Sequence, residues 1–164
     1  MVDLNTHTGA FITEDQKYRY ALWRKWKLKG NNIMFIGLNP SRANEHFNDP
    51  TITRLINFSK GWGYDGMYMA NLFAWRDPNP GFLKQFGVLN FTNWVGDHTD
   101  EWLRIMALDS SRIVFCWGSW KNIEIRSKPV ENEFAGYWCF GKNADGSPKH
   151  PLYLKATTQL IKYV

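Results

Sequence analysis

The stretch Ile33-Met34-Phe35-Ile36-Gly37-Leu38-Asn39-Pro40-Ser41 constrains the fold more than any other part of the chain. Four consecutive apolar residues followed by a polar turn have the length of a buried parallel strand and are too short for a helix. Gly37 lets backbone or ligand approach closely, Asn39 sets a carboxamide at the strand's carboxyl end, and Pro40 with Ser41 stops the ladder. In open α/β sheets ligands bind beyond that end. The same residues also make an ordinary turn, so the motif needs support from the rest of the chain.

The next segment supplies the first support. Asp49 is a good helix N-cap and Pro50 suits the first helical position, while Ile52, Leu55, Ile56 and Ser59 share one face at helical spacing. Gly61 and Gly63 end that helix, and Met67 to Phe73 reads as the next buried strand, with Asn71 in it, which completes a β-α-β unit. Upstream, Ala10 to Ile12 and Tyr18 to Trp23 read as two strands around a polar turn. Arg24 to Lys29 is then either a solvated edge strand guarded by lysines or a phosphate-contacting patch. Downstream, Thr92 to Leu108 reads as one amphipathic helix, Arg112 to Trp117 as a third strand, Lys121 to Glu133 as a short helix and loop, and Tyr137 to Gly141 as a fourth strand. The expected fold is α/β: a single three-layer α/β/α domain over residues 1–164, with a mostly parallel central sheet of three or four strands.

Composition narrows the function. A chain of 164 residues is long enough for one well-filled core. No apolar run reaches a membrane span, and the first residues lack the pattern of a signal peptide, so the expected location is cytoplasmic and no membrane partner is expected. Cys116 and Cys139 lie in apolar runs and read as buried free thiols. His7, His46 and His98 read as surface or structural, and no histidine or cysteine pair has ligand spacing, so neither a metal nor another cofactor is expected. The net charge of +5 favours a polyanionic partner, and nine tryptophans offer surfaces on which bases stack.

Four polar turns occur in a fixed order: Gly37-Leu38-Asn39-Pro40-Ser41, Asn71-Leu72-Phe73, Trp117-Gly118-Ser119-Trp120 and His150-Pro151-Leu152-Tyr153-Leu154. In this order they resemble the motifs of the uracil-DNA glycosylase superfamily. The chain is also similar to an uncharacterised bacterial and phage domain family, DUF1643-like, through Leu-Asn-Pro-Ser, Asp-Pro-Thr-Ile, Asn-Leu-Phe-Ala and His-Pro-Leu-Tyr-Leu. The glycosylase resemblance implies a glycosylase-like fold. It also implies that Asn39 holds an attacking water, that Asn71 hydrogen-bonds a flipped pyrimidine, and that His150 donates to the pyrimidine O2 as the glycosidic bond breaks. Gly37, Leu38, Ser41 and Phe47 would complete the base pocket, with Phe47 as the stacking aromatic. Arg42, Arg54, Trp120, Leu152, Tyr153 and Leu154 would face DNA, one of the last three as a wedge; the family's Ser-Pro is absent there.

These residue types suit the chemistry. Breaking an N-glycosidic bond passes through an oxocarbenium-like sugar and an anionic base, so a site must stabilise the base's charge and supply water. An amide orients water without acting as a strong base, and a carboxamide reads a base edge with a donor and an acceptor. Asp49 is a helix cap or a catalytic acid, and Arg54 reaches a phosphate or pairs with a carboxylate. Ser41 stands where uracil-strict relatives carry a bulky tyrosine, which leaves room for a C5 substituent. The expected function is a monofunctional, monomeric DNA glycosylase acting on a modified or damaged pyrimidine, with a C5-modified phage base as one candidate. Two alternatives stand beside it: a non-catalytic DNA-binding module, and an enzyme of nucleosides or nucleotides.

Overall fold

The computed structural model describes residues 3–79, 81, 91–134 and 137–163. Seven strands form one sheet: β1 (Thr8–Ile12), β2 (Arg19–Lys25), β3 (Asn32–Gly37), β4 (Gly66–Asn71), β5 (Arg112–Phe115), β6 (Trp138–Cys139) and β7 (Ile161–Lys162). Their spatial order is β1-β2-β4-β3-β5-β6-β7. The pairs β4-β3, β3-β5 and β5-β6 are parallel, whereas β1-β2, β2-β4 and β6-β7 are antiparallel.

Half of the pairings are thus antiparallel, which overturns the expected mostly parallel sheet and, with it, the glycosylase-like fold class. The reasons are local. A tight turn, closed by Thr13 N–H to the Tyr18 carbonyl at 2.9 Å, returns β2 against β1, and β2 then docks on β4. At the other margin β6 lies within the expected fourth strand, Tyr137 to Gly141, but the antiparallel β7 beside it is two residues long, too short for any alternation to show in a sequence.

Hydrophobic alternation places the helices. Ile33 and Phe35 of β3 face Ile52, Leu55 and Phe58 of helix α1 (Pro50–Gly61). Met34 and Ile36 face the opposite side, against helix α3 (Thr99–Leu108) through Trp102, Leu103 and Met106. Each such side chain, fully buried, contributes about 1.5–3 kcal/mol. Helix α1 starts as the sequence suggests, with the Asp49 carboxylate accepting from Ile52 N–H at 2.9 Å and Pro50 in the first turn.

The helix expected from Thr92 to Leu108 is two: α2 (Phe91–Val95) and α3. The carbonyls of Trp94 and Val95, which a continuous helix would bond to residues 98 and 99, accept instead from Trp75 and Ala74 N–H at 3.0 and 3.2 Å. Helix α4 (Glu124–Glu133) completes the described elements.

Arg24 and Lys25 are neither an edge guard nor a phosphate patch. They are 6% and 5% exposed because β2 is flanked by strands on both sides. Lys25 Nζ lies 2.9 Å from the Asp109 carboxylate, which also accepts from the Tyr68 hydroxyl at 2.5 Å and the Asn32 amide at 3.1 Å. Lys27 pairs with Asp65 at 2.7 Å. This network ties the amino ends of the parallel strands together, opposite the end where β3 and β4 deliver their asparagines. Cys116 and Cys139 are buried and free.

Candidate functional site

At the carboxyl ends of the parallel strands lies a cavity of about 500 Å³. Strand β3 delivers Gly37 to Asn39, and β4 delivers Asn71 opposite Gly37 in the parallel register. The two strand ends are held together by Leu72 N–H to the Gly37 carbonyl at 2.8 Å and Phe73 N–H to the Leu38 carbonyl at 2.9 Å. A Cβ on Gly37 would sit 2.6 Å from the Met69 methyl and 3.0 Å from the Asn71 amide nitrogen. Only glycine lets Asn71 approach this closely.

The His150 segment reaches the same cavity by backbone bonding. Gly118, just past β5, adopts φ +81° and donates its N–H to the Pro148 carbonyl at 3.0 Å, while Lys149 N–H donates to the Gly141 carbonyl at 2.9 Å. That dihedral is what favours glycine at 118; a Cβ there would make only ordinary contacts with His150 and Trp120, at 3.6 and 3.4 Å. Three groups far apart in sequence, Asn39, Asn71 and His150, therefore line one cavity.

Their polar atoms are oriented. The Asn39 amide nitrogen donates to the carbonyls of Asp77 at 2.9 Å, Pro40 at 3.1 Å and Trp75 at 3.4 Å. Carbonyls only accept, so the amide orientation is fixed and its oxygen is left as an acceptor. For Asn71 the opposite holds. Its oxygen accepts from the Arg19 guanidinium at 3.2 Å, and its NH₂ is buried without a partner among the described residues. A buried unpaired donor costs about 1–3 kcal/mol, a cost that a ligand acceptor would relieve.

Arg19 is the residue that sequence reading missed. It lines the cavity at 3% exposure, donates to the Ala43 carbonyl at 3.1 Å, and keeps a buried Nε–H without a partner among the described residues. Burial lowers its pKa to about 10, against the opposing field of Asp49, so it stays charged at neutral pH. The signal was present: an arginine inside an otherwise apolar strand must find a buried role. Arg24, five residues on, donates to Asn48 at 2.8 Å and to the Asn44 carbonyl at 2.5 Å, so both arginines of β2 hold the loop that leads to Asp49.

His150 stands at the cavity mouth. Leu152 N–H donates to its Nδ1 at 3.3 Å, which makes Nδ1 the acceptor and places the proton on Nε2 in the neutral ring. Desolvation lowers its pKa below the ordinary histidine value, with the Asp49 carboxylate pulling the other way. Neutral His150 thus offers one N–H donor. Cys116 also lines the cavity, but burial pushes its thiol far up, so it is no thiolate nucleophile. Among the described residues no lysine lines the cavity, and no group of His, Cys, Asp and Glu is arranged to hold a metal.

The remaining candidates divide. Leu38, Ser41, Trp120 and Leu152 line the cavity with Gly37, and Trp117 joins them. Phe47 is 53% exposed on the 43–48 loop and does not line it, so the expected stacking aromatic is misplaced. Its loop is held instead by Arg24, which binds the Asn44 and Phe47 carbonyls. Arg42 is exposed outside the lining. Arg54 donates to the Leu154 carbonyl and stacks on Phe58, 4.8 Å from its ring, so it and Leu154 join α1 to the chain after His150. Tyr153 is fully exposed at φ 68°, an uncommon conformation for a residue with a side chain. A larger groove of about 850 Å³ shares Trp117 and Trp120 with the cavity but carries lysines and carboxylates in mixture.

Comparison with known proteins identifies one family. The pattern of the family described as a protein of unknown function (DUF1643) matches residues 19–152, from the buried arginine of β2 to the loop after His150. No curated protein and no solved structure matches the chain.

Proposed function

We propose that this chain, which belongs to the DUF1643 family of proteins of unknown function, is a monofunctional DNA glycosylase that hydrolyses the N-glycosidic bond of a modified or damaged pyrimidine. The observation that carries the reading is the meeting of Asn39, Asn71 and His150 in one cavity of base-binding size. The reading rests on these side chains and not on the fold.

Each group has a part. The base, flipped out of the helix, enters between the strand ends and the partly exposed Trp120, whose ring offsets unstacking from DNA. The Asn71 NH₂, fixed by Arg19, donates to an acceptor on the base edge. The Asn39 oxygen accepts from the water that attacks C1′. His150 donates Nε2–H to the base oxygen that gains charge as the bond breaks, a contribution of about 3 kcal/mol or more for a well-aimed donor. With no lysine in the described lining, no Schiff base forms and the strand stays intact. Ser41 leaves space beside C5, which favours substituted pyrimidines, including the C5-modified bases of phage DNA.

The test is a panel of duplexes with one uracil, 5-hydroxymethyluracil, 5-hydroxymethylcytosine or mismatched thymine, together with glucosylated phage DNA, assayed for alkali-labile abasic sites. Abasic sites in at least one substrate support the reading. Tight binding to all of them without any abasic site replaces it with the DNA-binding alternative.

A further inference from the structure

The geometry points to Asp49 as the base that takes the proton from the attacking water; this rests on the glycosylase reading. Neither amide in the cavity accepts a proton, and neutral His150 is occupied as a donor, so hydrolysis lacks a base unless a carboxylate supplies it. Among the described residues two carboxylates line the cavity, Asp49 and Asp77. Asp49 is the buried one, at 8% exposure. One of its oxygens is held by Ile52 N–H at 2.9 Å, which fixes the carboxylate and leaves the second oxygen for water. Its field reaches Arg19, Arg24 and His150, which face it from β2 and from the 150 loop. Asp77 caps Asn79 N–H at 2.8 Å in a partly exposed loop and faces the cavity from the other wall.

The step balances. Water oxygen bonds to C1′ as the C1′–N1 bond breaks and its electron pair leaves with the base. One water proton passes to Asp49. The base anion, hydrogen-bonded to His150, takes a proton from solvent on release, and Asp49 returns its proton to water. The carboxylate's charge also opposes the positive charge that grows on the sugar. General-base groups of this kind contribute about 10²–10⁴-fold.

The test exploits the cap. Asparagine and serine cap helices as well as aspartate, so Asp49→Asn and Asp49→Ser keep α1 and remove the base. On whichever duplex of the same panel the wild type cleaves, single-turnover base release should fall at least about 100-fold in both variants. Both variants remove the charge that faces Arg19 and Arg24, so the thermal midpoint should fall somewhat while duplex affinity does not drop below the wild-type value, and Asp77→Asn should lose less than about 5-fold on the same scale. Release within about 3-fold of wild type in either Asp49 variant overturns the proposal while leaving the glycosylase reading intact, and so does a large loss in Asp77→Asn alone. A wild-type protein that forms no abasic site on any substrate overturns the reading itself.

Discussion

The guanidinium of Arg19, buried beneath the cavity, donates to the Asn71 carboxamide oxygen at 3.2 Å and so decides which end of that amide a ligand meets. A free asparagine offers a donor and an acceptor by a simple rotation. Here the oxygen is engaged by a fixed charge and the NH₂ is the end left to the ligand. Arg19→Met, which keeps an unbranched apolar stem but not the donors, should leave the Asn71 oxygen and the Ala43 carbonyl unpaired and cost about 1–3 kcal/mol. It should lower base release at least about 10-fold even where the protein remains folded, as one lost transition-state hydrogen bond does. Denaturant titration and the abasic-site assay check the two effects separately.

Gly37→Ala tests the approach of β3 to Asn71. The added methyl meets the Met69 methyl at 2.6 Å and the Asn71 nitrogen at 3.0 Å. The Met69 end moves at little cost, whereas Asn71 is held by Arg19. A stability loss of about 1–3 kcal/mol is expected, with a larger loss of substrate affinity than in a control alanine outside the cavity.

His150 gives a pH signature. Its folded-state pKa lies below the unfolded value, so the unfolded chain binds the extra proton first as pH falls. The stability associated with the neutral ring is complete above the unfolded value of about 6.5 and is lost as pH drops through the folded value. Nitrogen-detected NMR should find the Nε2–H tautomer at neutral pH and a midpoint below that of a free histidine. Asp49→Asn should push the midpoint lower still, because it removes the charge that favours the imidazolium.

On the glycosylase reading, Tyr153 is the best placed wedge of the three residues after Pro151. Leu152 lines the cavity and Leu154 packs toward the core, whereas Tyr153 stands in solvent beside them. Tyr153→Ala should weaken cleavage of duplex at least about 10-fold and of single strands much less, since only the duplex requires a neighbour to hold the gap open. Tyr153→Gly should not destabilise the fold, because glycine accepts the left-handed backbone at φ 68° without strain.

Much of the strand-end geometry was legible in the residues. The run from Ile33 to Ser41, the cap at Asp49 and the strand bearing Asn71 each carry a local signal, and all three place their side chains at the cavity. What was not legible depends on partners distant in sequence. The insertion of β2 beside β4 comes from tertiary packing, and it turned Arg24 and Lys25 from a supposed surface patch into buried anchors. Phe47 was misplaced, and its loop is held by Arg24, a partner distant in sequence. The single helix expected across residues 96–98 broke because residues 74 and 75 take its carbonyls. β7 has two exposed residues and no pattern to find.

The most direct measurement is mass spectrometry of the small-molecule fraction after the protein is incubated with the duplex panel and glucosylated phage DNA, alongside Asn39→Ala and His150→Ala. The expected result is a free pyrimidine base, one for each abasic site on an intact strand, with release at least about 100-fold slower in both variants. Release at the wild-type rate from both variants, or a released nucleoside or nucleotide in place of a free base, would contradict the assignment of this cavity.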